Sequence, residues 1–240
     1  MKHHISALLT LVLAIAFAIA PLLTSPFSGF DSEQLPIPQI DPPIQPAGYA
    51  FAIWGLIYIW LIVSAAFGYL KRREDPEWQR ARLPLCFSLA IGVPWLAIAN
   101  TSAIWATITI FLMALGAVVA LLQAPNRDRW MLQAPVGIYA GWLTAATCVS
   151  LGTTMAGYGV FLGALGWAYC GISLGLIASV AVYRQRPNAP EYLIAVIWAL
   201  VGILVANMPQ DLMLSGFVAL GILVLGGLVL REELFTKEHS

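Results

Sequence analysis

The chain has 240 residues, of which 60% are hydrophobic and 10% charged, and twelve basic residues balance twelve acidic ones. Soluble domains carry about 25% charged residues, and a soluble fold of this size cannot hide so much apolar surface. The composition excludes a soluble globular protein, a disordered chain and a nucleic-acid binder with a basic footprint. A polytopic membrane protein remains. A span needs about 20 apolar residues, so eight spans would use about 160 and leave only short loops.

Taken in chain order, the apolar runs cover about 6–24, 48–70, 84–100, 103–123, 131–154, 158–182, 191–208 and 212–230. They lack the period-2 alternation of barrel strands, so the expected fold class is an all-α transmembrane helix bundle of about eight spans. Lys2, an apolar stretch and Ala18-Ile19-Ala20 would also fit a cleaved signal peptide. The stretch is long for a signal core, which favours a retained span. Pro94 and the polar cluster Asn100-Thr101-Ser102 predict a break between the third and fourth runs.

Charge placement supports this map. Lys2, the group Lys71, Arg72, Arg73, Arg80 and Arg82, then Arg127 and Arg129, Arg184 and Arg186, and Arg231 and Lys237 all fall on one side of an eight-span bundle. The other side holds Asp31, Glu33, Asp41 and Asp211. The positive-inside rule then predicts both termini in the cytoplasm, in the plasma (inner) membrane.

The runs carry no charged residue in their interiors. This argues against proton- or ion-coupled transport, which needs an intramembrane relay. No Ser-His-Asp set, HExxH or nucleotide loop is present, so no catalytic residue is assigned and no conventional enzyme is expected. His3, His4 and His239 lie at the termini, and Cys86, Cys148 and Cys170 form no CxxC pair. The cysteines read as small packing residues, and neither a metal nor a cofactor is expected. Gly159-xxx-Gly163 and Gly171-xxx-Gly175 read as small faces for close packing within the bundle, or for a homodimer. Of the nine Trp, Trp78 and Trp130 read as interfacial anchors beside basic residues. Asn207-Met208-Pro209-Gln210-Asp211 reads as a turn on the outer face, and Glu232, Glu233 and Glu238 as a solvated tail.

The richest stretch runs from Asp41 through Pro42, Pro43 and Pro46 to Trp54 and Tyr58. The prolines hold the chain extended, and a helix then places Trp54 and Tyr58 one turn apart on one face. This stretch resembles the tryptophan-rich sensory protein/translocator protein (TspO/MBR) family, in which a proline-rich loop leads to a Pro, eight residues on a Trp, and four further a Tyr. Pro46, Trp54 and Tyr58 reproduce that spacing. The family's third-helix Asn-x-x-Trp is matched at Trp95, with Gly92 at the Asn place. Its fifth-helix motif is matched from Trp142, with Ser150 replacing the Asn. The resemblance covers residues 1–155, a five-helix TspO-like core. Residues 156–240 would be a three-helix membrane extension.

The resemblance implies an integral membrane binder of flat hydrophobic molecules, tetrapyrrole or sterol-like, linked to their transport, sensing or regulation. An aromatic-lined, uncharged bundle agrees in kind. The expected ligand-binding residues are Trp54 and Trp142, stacking on the ligand, and Tyr58, donating a hydrogen bond, with Trp95, Tyr49, Asn100 and Ser150 beside them. The expected partners are that hydrophobic small molecule and the lipid bilayer, with no nucleic acid and a possible homodimer. A transporter of a neutral or lipid-like solute, a membrane assembly or scaffold protein, and a porphyrin-degrading protein using its indoles remain alternatives.

Overall fold

A computed structural model describes residues 2–208 and 210–238, with side chains from residue 4 to residue 232 except 209. Pro209 of the outer turn, the side chains of Lys2, His3, Glu233, Lys237 and Glu238, and His239 lie outside the described residues. Eight helices follow one another: α1 (Lys2–Ile19), α2 (Ile53–Lys71), α3 (Pro76–Ala99), α4 (Ala103–Gln123), α5 (Gln133–Gly157), α6 (Ala164–Gln185), α7 (Pro190–Asn207) and α8 (Leu212–Glu238). Among the described residues, all eight contain a segment long and apolar enough to cross a membrane, and there is no strand. The expected all-α membrane bundle is the observed fold.

The expected break between α3 and α4 is present, and Ser102 caps α4 by accepting a hydrogen bond from the Trp105 N–H at 3.4 Å. Pro94 is not part of that break: it sits inside α3, as does Pro84. Helix α3 also starts eight residues before the expected 84. Asp75 caps it, accepting from the Glu77 N–H at 3.0 Å, and Pro76 occupies the first turn, where a missing N–H is harmless. Arg80 and Arg82 therefore lie within the helix. Arg82 is buried and donates to the backbone oxygens of Gly68 (2.8 Å), Arg72 (2.7 Å) and Arg73 (3.2 Å), closing the α2–α3 turn. Trp78 is likewise buried, against Gly68, and its indole N–H donates to Asp128 at 3.1 Å. The expectation of an exposed interfacial anchor fails there; Trp130, 60% exposed, does lie open at the surface.

Helix α5 is the axis of the bundle. Small residues line both of its faces, and α2, α4, α6 and α7 all pack against it. In lipid no hydrophobic force drives helices together, so association depends on close backbone approach and interhelical hydrogen bonds. Gly137 and Gly141 provide that approach toward α7. A Cβ at Gly141 would overlap the Tyr192 carbonyl oxygen and stand 3.0 Å from the Ala195 Cβ. The Tyr192 hydroxyl completes the contact by donating to Thr144 at 3.0 Å. On the opposite side, Gly171 of α6 lies against the Cys148 carbonyl and Ile44, so Gly171-xxx-Gly175 packs within the bundle. Gly159 and Gly163 do not form the second expected face. They lie in the α5–α6 turn, Gly159 with a left-handed φ of +64° and Gly163 extended before α6.

The basic segments meet at one end of the bundle. Arg72 pairs with Asp128 (2.7 Å), Arg127 with Asp75 and Glu77, and Arg129 with Glu191 (2.6 Å). Asp128 adopts a left-handed φ of +56°, a conformation Asp and Asn tolerate. The Arg72 hydrogen bond, aided by the Trp78 indole, holds its carboxyl below the usual carboxylate range. Such a lowered value contributes stability above the carboxyl's unfolded value, lost as pH falls through the folded one.

Two outcomes are expected in thermal unfolding of detergent-solubilised protein. Gly141→Leu lowers stability by about 1–3 kcal/mol, the usual cost of overpacking, whereas Gly216→Leu on α8, where a Cβ meets nothing within 4 Å, leaves it unchanged. Asp128→Asn lowers Tm at neutral pH and flattens the decline that the parent shows below about pH 4.

Candidate functional site

The segment between α1 and α2 forms a lid over the end opposite the salt-bridged one. It has little regular structure, so its polar groups must find partners elsewhere. The Ile37 N–H donates to the Gly157 carbonyl (2.8 Å) and the Ala47 N–H to that of Gly202 (3.0 Å). Asn207, at the end of α7, donates to the Pro43 carbonyl at 2.8 Å, and the Trp198 indole to that of Ala50 at 2.8 Å. Leu35 and Ile44 are buried, resting on Gly157 and on Gly152 and Gly171 respectively. Gly29, at φ +139°, lies where any side chain would collide with Gln45, whose amide donates to the Ser28 carbonyl at 2.9 Å. The turn after Asn207 is thus tied to the lid through Asn207.

Beneath the lid lies a narrow chamber of about 50 Å³. Trp54, Trp95, Trp142 and Ser150, four of the expected site residues, line it. The Trp54 and Trp142 rings meet edge to face with centroids 6.2 Å apart. Trp54 also stacks on Tyr58 at 5.4 Å, so the one-turn spacing puts those two rings together. Tyr58 itself lines an adjoining recess that shares Trp54 and Trp95 with the chamber. The other two expected residues stand apart. Tyr49 is 45% exposed and meets the Trp198 ring. Asn100 caps the end of α3 and donates to the Ser25 carbonyl at 3.2 Å.

The replaced amides have physical accounts. At Gly92 a Cβ would stand 2.8 Å from the Phe17 ring and 3.1 Å from the Met113 methyl, so the space of a larger side chain is already filled. Ser150 keeps a polar group at the chamber wall, and its carbonyl accepts from Thr107 at 3.3 Å.

The chamber also holds residues that the sequence reading omitted. Phe27, Phe30 and Gln45 come from the lid, Phe51 from the turn before α2, Thr153 from α5 and Ala199 from α7. Thr153 follows Trp142, Ala146 and Ser150 along one helical stripe, a signal present in the sequence. The lid residues have no periodicity to reveal them. The polar atoms differ in state. The Trp95 indole donates to the Ala106 carbonyl at 3.1 Å. The Trp142 Nε1–H and the Thr153 hydroxyl are buried without a protein partner. Thr144 and Thr147 on the same helix satisfy their hydroxyls through the preceding turn, at 2.9 and 2.7 Å. Buried polar groups are normally paired, so these two stand out in a wall whose other polar side chains are Gln45 and Ser150. Among the described residues no His, Cys, Asp or Glu cluster could hold a metal.

Eight membrane-length helices, of which α2, α3, α4, α5 and α7 line a lidded aromatic chamber, define an integral membrane helix bundle. The model of the TSPO-like protein family matches residues 4–231, and the chain belongs to that family. The resemblance carried by Pro46, Trp54 and Tyr58 is borne out, and the match runs through α6, α7 and most of α8. No curated protein and no solved structure matches the chain.

Proposed function

We propose that this integral membrane TSPO-like protein binds a flat, hydrophobic small molecule, tetrapyrrole or sterol-like, in the chamber under the lid, for its transport, sensing or regulation. The observation that carries the reading is the pairing of three indole-bearing walls with two buried, unpartnered polar atoms, Trp142 Nε1 and Thr153 Oγ1. Ring faces supply contact area, and an unsatisfied N–H supplies orientation. Because the free space is narrow, a large ligand enters with displacement of the lid phenylalanines, Phe27 and Phe30. The lid is anchored by main-chain and side-chain hydrogen bonds, each contributing about 1 kcal/mol, which ligand contact can replace.

We place the protein in the plasma (inner) membrane with the salt-bridged end and both termini in the cytoplasm, since all twelve Lys and Arg belong to segments on that side. A reporter active only outside the cytoplasm is expected to work when inserted near Gln39 and to fail when inserted near Asn126; the reverse pattern overturns the orientation.

Protoporphyrin titrated into purified protein is expected to quench Trp fluorescence saturably. Trp54→Phe and Trp142→Phe are each expected to weaken binding by about five- to tenfold, the scale of one lost aromatic or hydrogen-bond contact. Unchanged quenching and affinity in both variants would remove the chamber as the site.

A further inference from the structure

At the end of the bundle opposite the lid, the turn between α2 and α3 holds an open pocket of about 340 Å³. That lies within the roughly 300–1,000 Å³ range of small-molecule sites. Lys71, Arg72, Arg73 and Arg127 line it, against the carboxylates of Glu74 and Asp75. Arg72 is engaged by Asp128, Arg127 by Asp75 and Glu77, and Glu74 by His4. Lys71 and Arg73 are exposed, and among the described residues neither makes an ion pair. Their backbone is nonetheless tied down, because buried Arg82 donates to the carbonyls of Arg72 and Arg73 at 2.7 and 3.2 Å. Two free cations thus stand on a hydrogen-bonded turn. Leu70, 70% exposed, forms the apolar rim. Ile59 and Val63, 67% and 45% exposed, precede it on the same face of α2, eleven and seven residues earlier.

We infer that this pocket binds the headgroup of an anionic phospholipid. Its phosphodiester accepts hydrogen bonds from the Lys71 ammonium and the Arg73 guanidinium, and an acyl chain lies along Ile59, Val63 and Leu70. Bonds from charged donors to phosphate are short and strong, and the guanidinium fork matches two phosphate oxygens. Basic pockets at the ends of membrane helices suit such headgroups because the lipid is concentrated at that surface. A soluble phosphodiester would use the two cations and leave the apolar stripe uncovered. A zwitterionic lipid would bring its own ammonium beside Lys71 and Arg73 and gain less. Glu74, on the same lining, opposes an anion and so limits its affinity. The site lies at the far end from the chamber, and neither depends on the other.

The test uses full-length protein in detergent, titrated with dioleoyl phosphatidylglycerol and followed by native mass spectrometry. Dioleoyl phosphatidylcholine and glycerophosphoglycerol, the headgroup without its acyl chains, are titrated in parallel. One molecule of the anionic lipid is expected to bind about tenfold or more tightly than either control. Lys71→Gln and Arg73→Gln are each expected to weaken it by about five- to tenfold, and Glu74→Gln to tighten it. Arg184→Gln removes another exposed cation at the same end of the bundle, outside the pocket, and is expected to change nothing. All four side chains are exposed, so the variants keep the parent's Tm. Equal binding of the two lipids removes the anion site. If the headgroup alone binds as tightly as the lipid, the ligand is a soluble phosphodiester and the lipid assignment is wrong. If Arg184→Gln loses as much affinity as Lys71→Gln and Arg73→Gln, a basic surface attracts the lipid diffusely and the pocket assignment falls.

Discussion

The close approach of α5 to its neighbours is the contact on which the rest of the molecule depends. Lipid tails are as apolar as leucine, so a membrane helix gains little by exchanging lipid for another helix unless backbones come near enough for dense packing and hydrogen bonds. Gly137 and Gly141 allow this against α7, and Cys148 receives Gly171 of α6. The Tyr192 hydroxyl bonds Thr144 across the α5–α7 seam. With α5 held by small residues on one stretch, its next stretch can present larger groups inward, and Trp142, Val149 and Thr153 become chamber wall.

The two ends of the bundle solve different problems. At one end, short turns bring many charges together, and they are organised as ion pairs: Arg72 with Asp128, Arg127 with Asp75, Arg129 with Glu191. Each pair joins different interhelical turns or a turn to a helix start, so the charges fix helix order as well as position. At the other end, a long proline-rich segment covers the cavity. Prolines reduce the number of N–H groups that need partners, and of those remaining the Ile37 and Ala47 N–H groups reach carbonyls of α5 and α7, while others bond within the lid. The lid, α5 and α7 are therefore one mechanical unit around the chamber. Helix α7 lies beyond residue 155, yet supplies Ala199 to the chamber and the Trp198 bond to the lid.

Membership in the TSPO-like family and the departures from its motifs fit together. Where the third-helix motif has Asn, Gly92 makes room for Phe17, which meets Trp54 and Tyr58 edge to face at 5.8 and 5.1 Å. An amide there would displace a ring that braces the Trp54–Tyr58 stack. The aromatic cluster thus substitutes packing for a polar contact at that position.

Much of this was legible in the sequence. Hydropathy and charge asymmetry determined eight spans and put every basic segment on one side, because bilayer thickness and the exclusion of charge from hydrocarbon act on residues locally. Spacing along a helix determined that Trp54 and Tyr58 share a face, and motif spacing brought out the family. Other features needed the tertiary structure. The burial of Arg82 and Trp78 depends on which carbonyls and carboxylates the neighbouring turns bring within reach. The separation of Asn100 and Tyr49 from the chamber depends on the lid's path, and a proline-rich segment has no period from which to read it. The unpartnered state of Trp142 and Thr153 depends on what the other helices do not offer them. A sequence states which groups can bond; the packed bundle alone decides which are left without a partner.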